Sequence, residues 1–249
     1  MVEMYEEDVE GIQLIHAVPV GKYHDLLPTV FFYHGFTSSK EIYSYFGYML
    51  AKAGYRVILP DALMHGARAE PDEGVLLNNF WRILQTNVTD LALLKETFVA
   101  RGLADENRLG VGGVSMGGMT TMAALVHFPW VKVAANLMGS GYFSSLADHL
   151  YPSFGADTGL TREAFERETE LLLSLDIRDK TALIASKPLL VWHGEQDDVV
   201  PFDESARLRQ TLEAYNDAAN LTFISEPAAK HRVSVYASIR TTEFFTTHL

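Results

Sequence analysis

A serine flanked by glycines lies where a short apolar run gives way to a helical pattern. The sequence there reads Gly113-Val114-Ser115-Met116-Gly117, directly after the run Arg108 to Gly112. A strand that turns sharply into a helix holds such a serine in a sparsely populated backbone conformation, at a cost of about 1–3 kcal/mol. The strand and the helix then approach so closely that Gly113 and Gly117 have almost no room for a side chain. The pattern predicts a strand–turn–helix unit that presents the Ser115 hydroxyl as a nucleophile.

Short β-rich runs alternate with longer helical patterns along the chain. We predict strands over Ile12–Val18, Thr29–His34, Arg56–Leu59, Arg108–Gly113, Val131–Met138, Pro188–His193 and Leu221–Ser225. We predict helices over Tyr43–Ala53, Leu77–Ala100, Met116–His127, Asp203–Tyr215 and His231–His248. This alternation predicts an α/β fold in which a mostly parallel central sheet is flanked by helices. The 249 residues fit a single domain of this kind.

The stretch from residue 139 to residue 187 interrupts the alternation. It is far longer than an ordinary connection between two strands, and it contains a helical pattern over Arg162–Leu173. Its aromatic residues include Tyr142, Phe143, Tyr151 and Phe154. Segments inserted at the carboxyl ends of strands surround the ligand site of an open α/β sheet. We therefore expect residues 139–187 to form a small helical cap, with a packing subdomain that does not contact substrate as the alternative.

The composition excludes several classes of function. A formal net charge of −12 argues against binding to nucleic acid or to an anionic membrane surface. The chain has no cysteine, which excludes disulfides, a thiolate nucleophile and cysteine metal sites. Residues Met1 to Glu10 are acidic and lack the apolar segment of a secretory signal. We expect a soluble, cytoplasmic protein with no nucleic-acid or membrane partner.

A nucleophilic serine needs a base within hydrogen-bond reach and a carboxylate that orients the base. The loop after the predicted strand Pro188–His193 contains Asp197 and Asp198; we predict Asp197 as the acid, with Asp198 as the alternative. His231 follows the next predicted strand across a short loop, and we predict it as the base. The only later histidine, His248, is the penultimate residue.

The oxyanion of a tetrahedral intermediate needs two hydrogen-bond donors. One is expected to be the backbone N–H of Met116, at the N-terminus of the helix after Ser115, where the helix dipole favours negative charge. The other is expected to be the N–H of Phe36, because Gly35 allows the chain to turn after a predicted strand. The glycine-rich segment lacks the lysine of a phosphate-binding loop, and no grouping of His, Asp and Glu has metal-ligand spacing. No cofactor or metal is predicted.

Aromatic residues near the expected site are candidates for contact with substrate. Trp81, on a predicted helix, is either part of the pocket wall or part of the core. Tyr142 and Phe143 open the expected cap, and we predict that they contact substrate. The segment Pro60–Arg68 follows the predicted strand Arg56–Leu59, near the same edge of the sheet. It either contacts substrate or is a loop braced by pairing of Asp61 with Arg68.

The chain resembles the α/β-hydrolase superfamily, and within it the YjfP-type esterases, near the dienelactone hydrolase and prolyl-oligopeptidase-like groups. The matching segments are Phe32–Ser39, Tyr43–Phe46, Arg56–Ala62, His65-Gly66, Asn79–Trp81, Met138–Phe143 and His193–Pro201. The resemblance implies carboxylesterase activity on short acyl esters, with Ser115, Asp197 and His231 as catalytic triad. Two departures limit it. Ser115 replaces the cysteine of dienelactone hydrolases, so their substrate is not carried over to this chain. The propeller domain of oligopeptidases is absent, so the resemblance does not support peptide cleavage.

The sequence therefore predicts a serine carboxylesterase that works through an acyl-enzyme intermediate on a small-molecule ester. An acyl-CoA thioesterase is the first alternative, although the acidic composition does not favour binding of nucleotide phosphates. A non-catalytic binding protein that has kept a hydrolase pocket is the second alternative, although no member of the triad is missing. The sequence does not indicate the oligomeric state.

Overall fold

The strands of the central sheet are distributed along most of the sequence. The computed structural model describes residues 1–69, 73–147, 150, 161–168, 170–216 and 218–249. Within these residues, one sheet contains eight strands: β1 (Val2–Val9), β2 (Ile12–Pro19), β3 (Leu27–Tyr33), β4 (Arg56–Pro60), β5 (Ala104–Val114), β6 (Val133–Leu137), β7 (Leu189–Gly194) and β8 (Leu221–Glu226).

The strand order is β1-β2-β4-β3-β5-β6-β7-β8. Strands β3 to β8 pair in parallel, whereas β2 pairs antiparallel with both β1 and β4. The predicted mostly parallel sheet is thus confirmed. Strand β1 was not predicted, because it is acidic and largely exposed and does not have the continuous apolar character of the central strands.

Helices cover both faces of the sheet. Their bounds are α1 (Ser44–Lys52), α2 (Glu73–Asn78), α3 (Phe80–Ala100), α4 (Met116–His127), α5 (Phe143–Leu146), α6 (Arg162–Glu168), α7 (Glu170–Ser174), α8 (Thr181–Ala185), α9 (Phe202–Asn216) and α10 (Val235–His248), with short 3₁₀ turns at Gly66–Arg68 and Ile177–Asp179. The last helix begins four residues later than predicted. The Ser234 side chain accepts a hydrogen bond from the Ala237 N–H and so caps α10 at its start.

The last helix packs directly on the backbone of the central strand. A Cβ atom added to Gly110 of β5 would lie 2.8 Å from a ring carbon of Phe245 and 3.0 Å from a methyl carbon of Leu249. The missing side chain is therefore what lets α10 approach the sheet at this point. Phe245 is fully buried in this contact.

The segment 139–187, expected to be a cap, carries the helices α5, α6, α7 and α8 within its described residues. The predicted helical pattern Arg162–Leu173 corresponds to α6 and α7. Tyr151 and Phe154 lie outside the described residues, and the cap itself stays a prediction. No helix in the described part of the chain is long and apolar enough to cross a membrane.

Candidate active site

Ser115 occupies a strained turn between β5 and α4. Its φ of 56° and ψ of −114° lie in a region that side-chain-bearing residues rarely adopt. The Ser115 N–H donates to the carbonyl oxygen of Leu137 on the neighbouring strand at 2.8 Å. This bond ties the turn to the carboxyl end of β6, and α4 begins at the next residue.

The two flanking glycines are required by close backbone contacts. A Cβ atom on Gly113 would lie 2.4 Å from the carbonyl carbon of Gly117, and one on Gly117 would lie 2.1 Å from the carbonyl oxygen of Tyr33. Both distances are far below van der Waals contact. The strand–turn–helix unit predicted from the sequence is therefore present, and it is as crowded as the pattern implied.

Three side chains that are distant in sequence meet at the carboxyl edge of the sheet. The Nε2 atom of His231 lies 2.8 Å from the Ser115 hydroxyl oxygen, and its Nδ1 atom lies 2.7 Å from Oδ2 of Asp197. The Asp197 side chain is fully buried, whereas that of His231 is 18% exposed. With Nδ1 donating to the carboxylate, Nε2 is left free to accept the hydroxyl proton.

The Asp197 carboxylate is held by several donors. Its Oδ1 atom accepts hydrogen bonds from the backbone N–H groups of Val199 and Val200, each at 2.9 Å. Burial alone would raise the pKa of Asp197, but the hydrogen bonds from His193, His231 and the Val199 N–H outweigh it and hold that pKa well below its usual range. The carboxylate is therefore ionised at neutral pH.

The alternative acid predicted from the sequence is placed elsewhere. Asp198 is exposed, and its Oδ2 atom lies 3.9 Å from Nζ of Lys230. His248, at the end of α10, packs against the ring of Phe244 with centroids 4.6 Å apart. Of these residues, the structure brings Asp197 and His231 to Ser115.

A second imidazole contacts the same carboxylate. The Nε2 atom of His193 lies 3.2 Å from Oδ2 of Asp197 and 3.0 Å from the carbonyl oxygen of Val200. Because both neighbours are acceptors, Nε2 carries the proton, and Nδ1 accepts from the Ser205 hydroxyl at 2.7 Å. His193 is completely buried. The contact of His193 with Asp197 is not visible from the sequence.

Two neutral histidines hold the loop that follows β3. The Nδ1–H of His34 donates to the carbonyl oxygen of Gly35, and its Nε2 atom accepts from the Ala62 N–H. His65 accepts from the Thr37 N–H through Nε2, at 3.0 Å. Burial lowers the pKa of His34 to about 4 and also lowers that of His65, so both rings accept in the neutral form at pH 7. Phe36 lies between these two anchors.

A buried ion pair joins the loop after β3 to the segment after β4. Nζ of Lys40 lies 2.7 Å from Oδ2 of Asp61, and the two side chains are 4% and 0% exposed. The Asp61 carboxylate also accepts from the N–H groups of Lys40 and Ala67. Arg68 instead bonds the carbonyl oxygen of Asp61 and the carboxylate of Asp90. The segment after β4 is therefore braced by both residues: Lys40 pairs with the Asp61 carboxylate, and Arg68 bonds the Asp61 carbonyl oxygen.

A cavity of about 720 Å³ opens beside Ser115 and His231. Its walls come from the loop after β3, the start of α1 and the segment that joins His231 to α10. Tyr43, Tyr45, Val233 and Val235 make these walls largely aromatic and aliphatic. A ligand of small-molecule size fits a cavity of this volume.

The aromatic residues predicted to contact substrate lie in the core. Trp81, Tyr142 and Phe143 are 2%, 3% and 0% exposed, and they are not among the described residues that line the cavity. Trp81 and Phe143 pack in one apolar cluster with Met116, and the guanidinium of Arg207 covers the Tyr142 ring at 3.7 Å. These positions do not support the predicted contact. The wall is formed instead by α1 and the segment before α10.

The fold and the geometry around Ser115 define a class of protein, the serine hydrolases built on an α/β-hydrolase sheet. Residues 81–249 match the prolyl oligopeptidase family, and the chain belongs to that family. It is similar over its whole length to Esterase YjfP of Escherichia coli (strain K12), with 40% identity over 249 residues and 100% of each chain covered. The chain is a serine ester hydrolase.

Solved structures show the same fold at lower sequence identity. TT1662 from Thermus thermophilus has a TM-score of 0.78 and 17% identity, over 99% of this chain and 98% of that one. An acylaminoacyl peptidase from Pyrococcus horikoshii has a TM-score of 0.72 and 19% identity, over 100% of this chain but 42% of that one. The chain therefore shares its fold with both proteins.

Proposed function

We propose that the protein is a serine carboxylesterase that hydrolyses short acyl esters through Ser115, His231 and Asp197. The observation that carries the proposal is the unbroken chain of contacts from the Ser115 hydroxyl through His231 to Asp197, with distances of 2.8 and 2.7 Å. The ionised, buried Asp197 supports it, because this charge stabilises the imidazolium that forms when His231 takes the serine proton.

The reaction follows from this geometry. Ser115 Oγ attacks the ester carbonyl while His231 Nε2 takes its proton, and the tetrahedral oxyanion is bound by the backbone N–H groups of Phe36 and Met116. His231 then gives the proton to the departing alkoxide. A water molecule repeats the sequence on the acyl-enzyme, and the carboxylic acid leaves. The position of Met116 at the start of α4 and of Phe36 at the cavity supports their assignment as donors.

Replacement of the nucleophile tests the proposal. We expect Ser115→Ala to lower kcat on p-nitrophenyl butyrate by at least about a thousandfold, because alanine has no hydroxyl that could form the acyl-enzyme. Ser186→Ala, which changes an exposed serine at the end of α8, is the matched control and should keep wild-type turnover. Near-wild-type turnover in Ser115→Ala would contradict the assignment.

Two further measurements separate the alternatives. A fluorophosphonate probe should label the wild type but not Ser115→Ala, and an unlabelled wild type would favour a non-catalytic binding protein. Turnover of butyryl-CoA well above that of butyryl esters would favour a thioesterase. We expect the esters to be the better substrates.

A further inference from the structure

Arg232 is the residue that follows the base, and it lines the cavity beside Ser115. Its guanidinium has no hydrogen-bond or ion-pair partner among the described residues, and the side chain is exposed to the cavity and to solvent. Two cations from the loops at the same edge of the sheet are held by internal acceptors. Lys40 pairs with Asp61, and Arg68 pairs with Asp90. Arg232 is therefore available to a ligand in a way that these residues are not.

The charge around Arg232 is unusual for this protein. The chain has 32 acidic residues against 20 lysines and arginines, yet none of the described residues that line the cavity is Asp or Glu. Apart from the titratable His231, Arg232 is the charged side chain among them. The remaining walls are mostly aromatic and aliphatic, so a cation here faces little competing charge. An excess of acidic surface elsewhere disfavours non-specific binding of anions.

Arg232 lines the cavity in which the scissile bond of an ester would lie. His231 must protonate the leaving group, so the ester lies within hydrogen-bond distance of the His231 ring in the reacting complex. Arg232 lines the same cavity of about 720 Å³ as Ser115 and His231. An anion bound by Arg232 and an ester positioned at Ser115 would therefore share this cavity, and its size limits the length of the substituent that joins them.

The geometry points to Arg232 as the anchor for an anionic substituent, a carboxylate or a phosphate, on the ester substrate. This inference rests on the proposed esterase function and names its substrate class: short esters that carry a negative charge close to the acyl carbon or to the alcohol oxygen. Guanidinium binds carboxylate and phosphate through paired N–H donors, which orient the ligand as well as attract it. The aliphatic and aromatic walls hold the short linker between the ester and the anion.

Two matched pairs of esters test this inference. The first pair places the charge in the acyl half: mono-p-nitrophenyl glutarate against its methyl ester. The second pair places it in the alcohol half: the butyrate of 4-hydroxybenzoate against the butyrate of methyl 4-hydroxybenzoate. The quantity measured is the ratio of kcat/KM for the anionic ester to that for its neutral partner, in wild type and in Arg232→Gln.

We expect Arg232→Gln to lower this ratio by about tenfold for at least one pair, mainly through KM, because one charge-assisted contact is lost. Arg209→Gln removes the same charge from an exposed position on α9, where the arginine pairs with Glu213, and it should leave both ratios unchanged. Added NaCl should also lower the wild-type ratio, and it should have less effect on the ratio of Arg232→Gln.

The outcomes separate this inference from the proposed function. Hydrolysis of the neutral esters, with both ratios equal in wild type and Arg232→Gln, would overturn the anionic subsite and leave the esterase assignment standing. A ratio that falls equally in Arg209→Gln would also overturn it, because the effect would then come from net charge. A wild type that hydrolyses none of the four esters would overturn the proposed function and the inference together.

Discussion

The Nε2 atom of His193 lies 3.2 Å from Oδ2 of Asp197, the same carboxylate oxygen that His231 contacts at 2.7 Å. One buried oxygen thus accepts from two imidazoles, one of which faces Ser115 while the other is enclosed by Ser205 and Val200. We therefore propose that His193 is a positioning residue, which acts on the proposed reaction through the orientation and the basicity of Asp197.

Loss of the His193 donor should change the pH dependence of the reaction. We expect His193→Leu to lower kcat about tenfold with little change in KM, because the carboxylate is less firmly oriented. With one donor fewer, Asp197 becomes more basic and holds the imidazolium of His231 more tightly. The acid limb of the pH profile of kcat/KM should therefore move to higher pH.

The conservative variant His193→Gln is the control, because its amide N–H can replace the lost donor. It should recover part of kcat and return the acid limb towards its wild-type position. A loss of activity that is equal in both variants, with an unmoved acid limb, would mean that His193 has a packing role alone.

The two adjacent aspartates should respond very differently to substitution. Asp197→Asn should lower kcat on p-nitrophenyl butyrate by about ten-thousandfold, because the amide leaves the imidazolium without its counter-charge and favours the wrong tautomer. Asp198→Asn should have near-wild-type kcat, because Asp198 is exposed and lies near Lys230. Comparable losses in both variants would contradict the assignment of the acid.

The stability of the fold should decrease in mild acid. Burial lowers the pKa of His34 to about 4 in the folded protein, against about 6.5 in the unfolded chain. The unfolded state therefore binds more protons between these values, and the stability contributed by neutral His34 is lost as the pH falls below about 6.5. The free energy of unfolding should drop by about 2 kcal/mol from this residue alone between pH 8 and pH 5. The buried His65 should add to the drop, because its folded pKa is also lowered.

Urea unfolding at a series of pH values measures this effect. His34→Asn should flatten the dependence between pH 6.5 and pH 4.5, whatever its stability at pH 7. His127→Asn changes an exposed histidine and should leave the slope as it is in the wild type. The same slope in His34→Asn and wild type would show that His34 does not contribute to it.

The buried pair Lys40–Asp61 should be important for stability. Lys40→Met leaves the Asp61 carboxylate buried without its counter-ion, which costs about 3–5 kcal/mol. Lys22→Met removes one partner of the exposed pair Lys22–Asp25 and should cost at most about 1 kcal/mol. Chemical denaturation of both variants measures the difference, and a Lys40→Met protein as stable as Lys22→Met would refute the role of the pair.

Much of the fold was predictable because its signals are local. Each buried parallel strand is a short apolar run, and the turn at Ser115 needs glycines at fixed positions. Chain order then limits the acid and the base to a few candidates at strand ends. The prediction that the last helix begins at His231 was wrong. The helix begins at Val235, because Ser234 caps it.

The walls of the site were not predictable in the same way. Whether Trp81 or Tyr142 faces the core or the cavity depends on how the helices pack, and Arg207 covers the Tyr142 ring from a distant part of the sequence. The contributions of Tyr43 and Val233 depend on how α1 and α10 are placed around Ser115. The segment Tyr43–Phe46 at the start of α1 is part of the family resemblance, but nothing in the sequence indicates that it faces the nucleophile.

The packing of α10 on Gly110 links the completion of the fold to the completion of the site. Phe245 and Leu249 cover the bare backbone of β5, and His231 is held between β8 and the same helix. A chain in which α10 has not docked leaves this face of β5 uncovered, and exposed apolar surface of this kind promotes aggregation. Docking of the last helix therefore covers the sheet and, in the same step, fixes the segment that carries His231 beside Ser115.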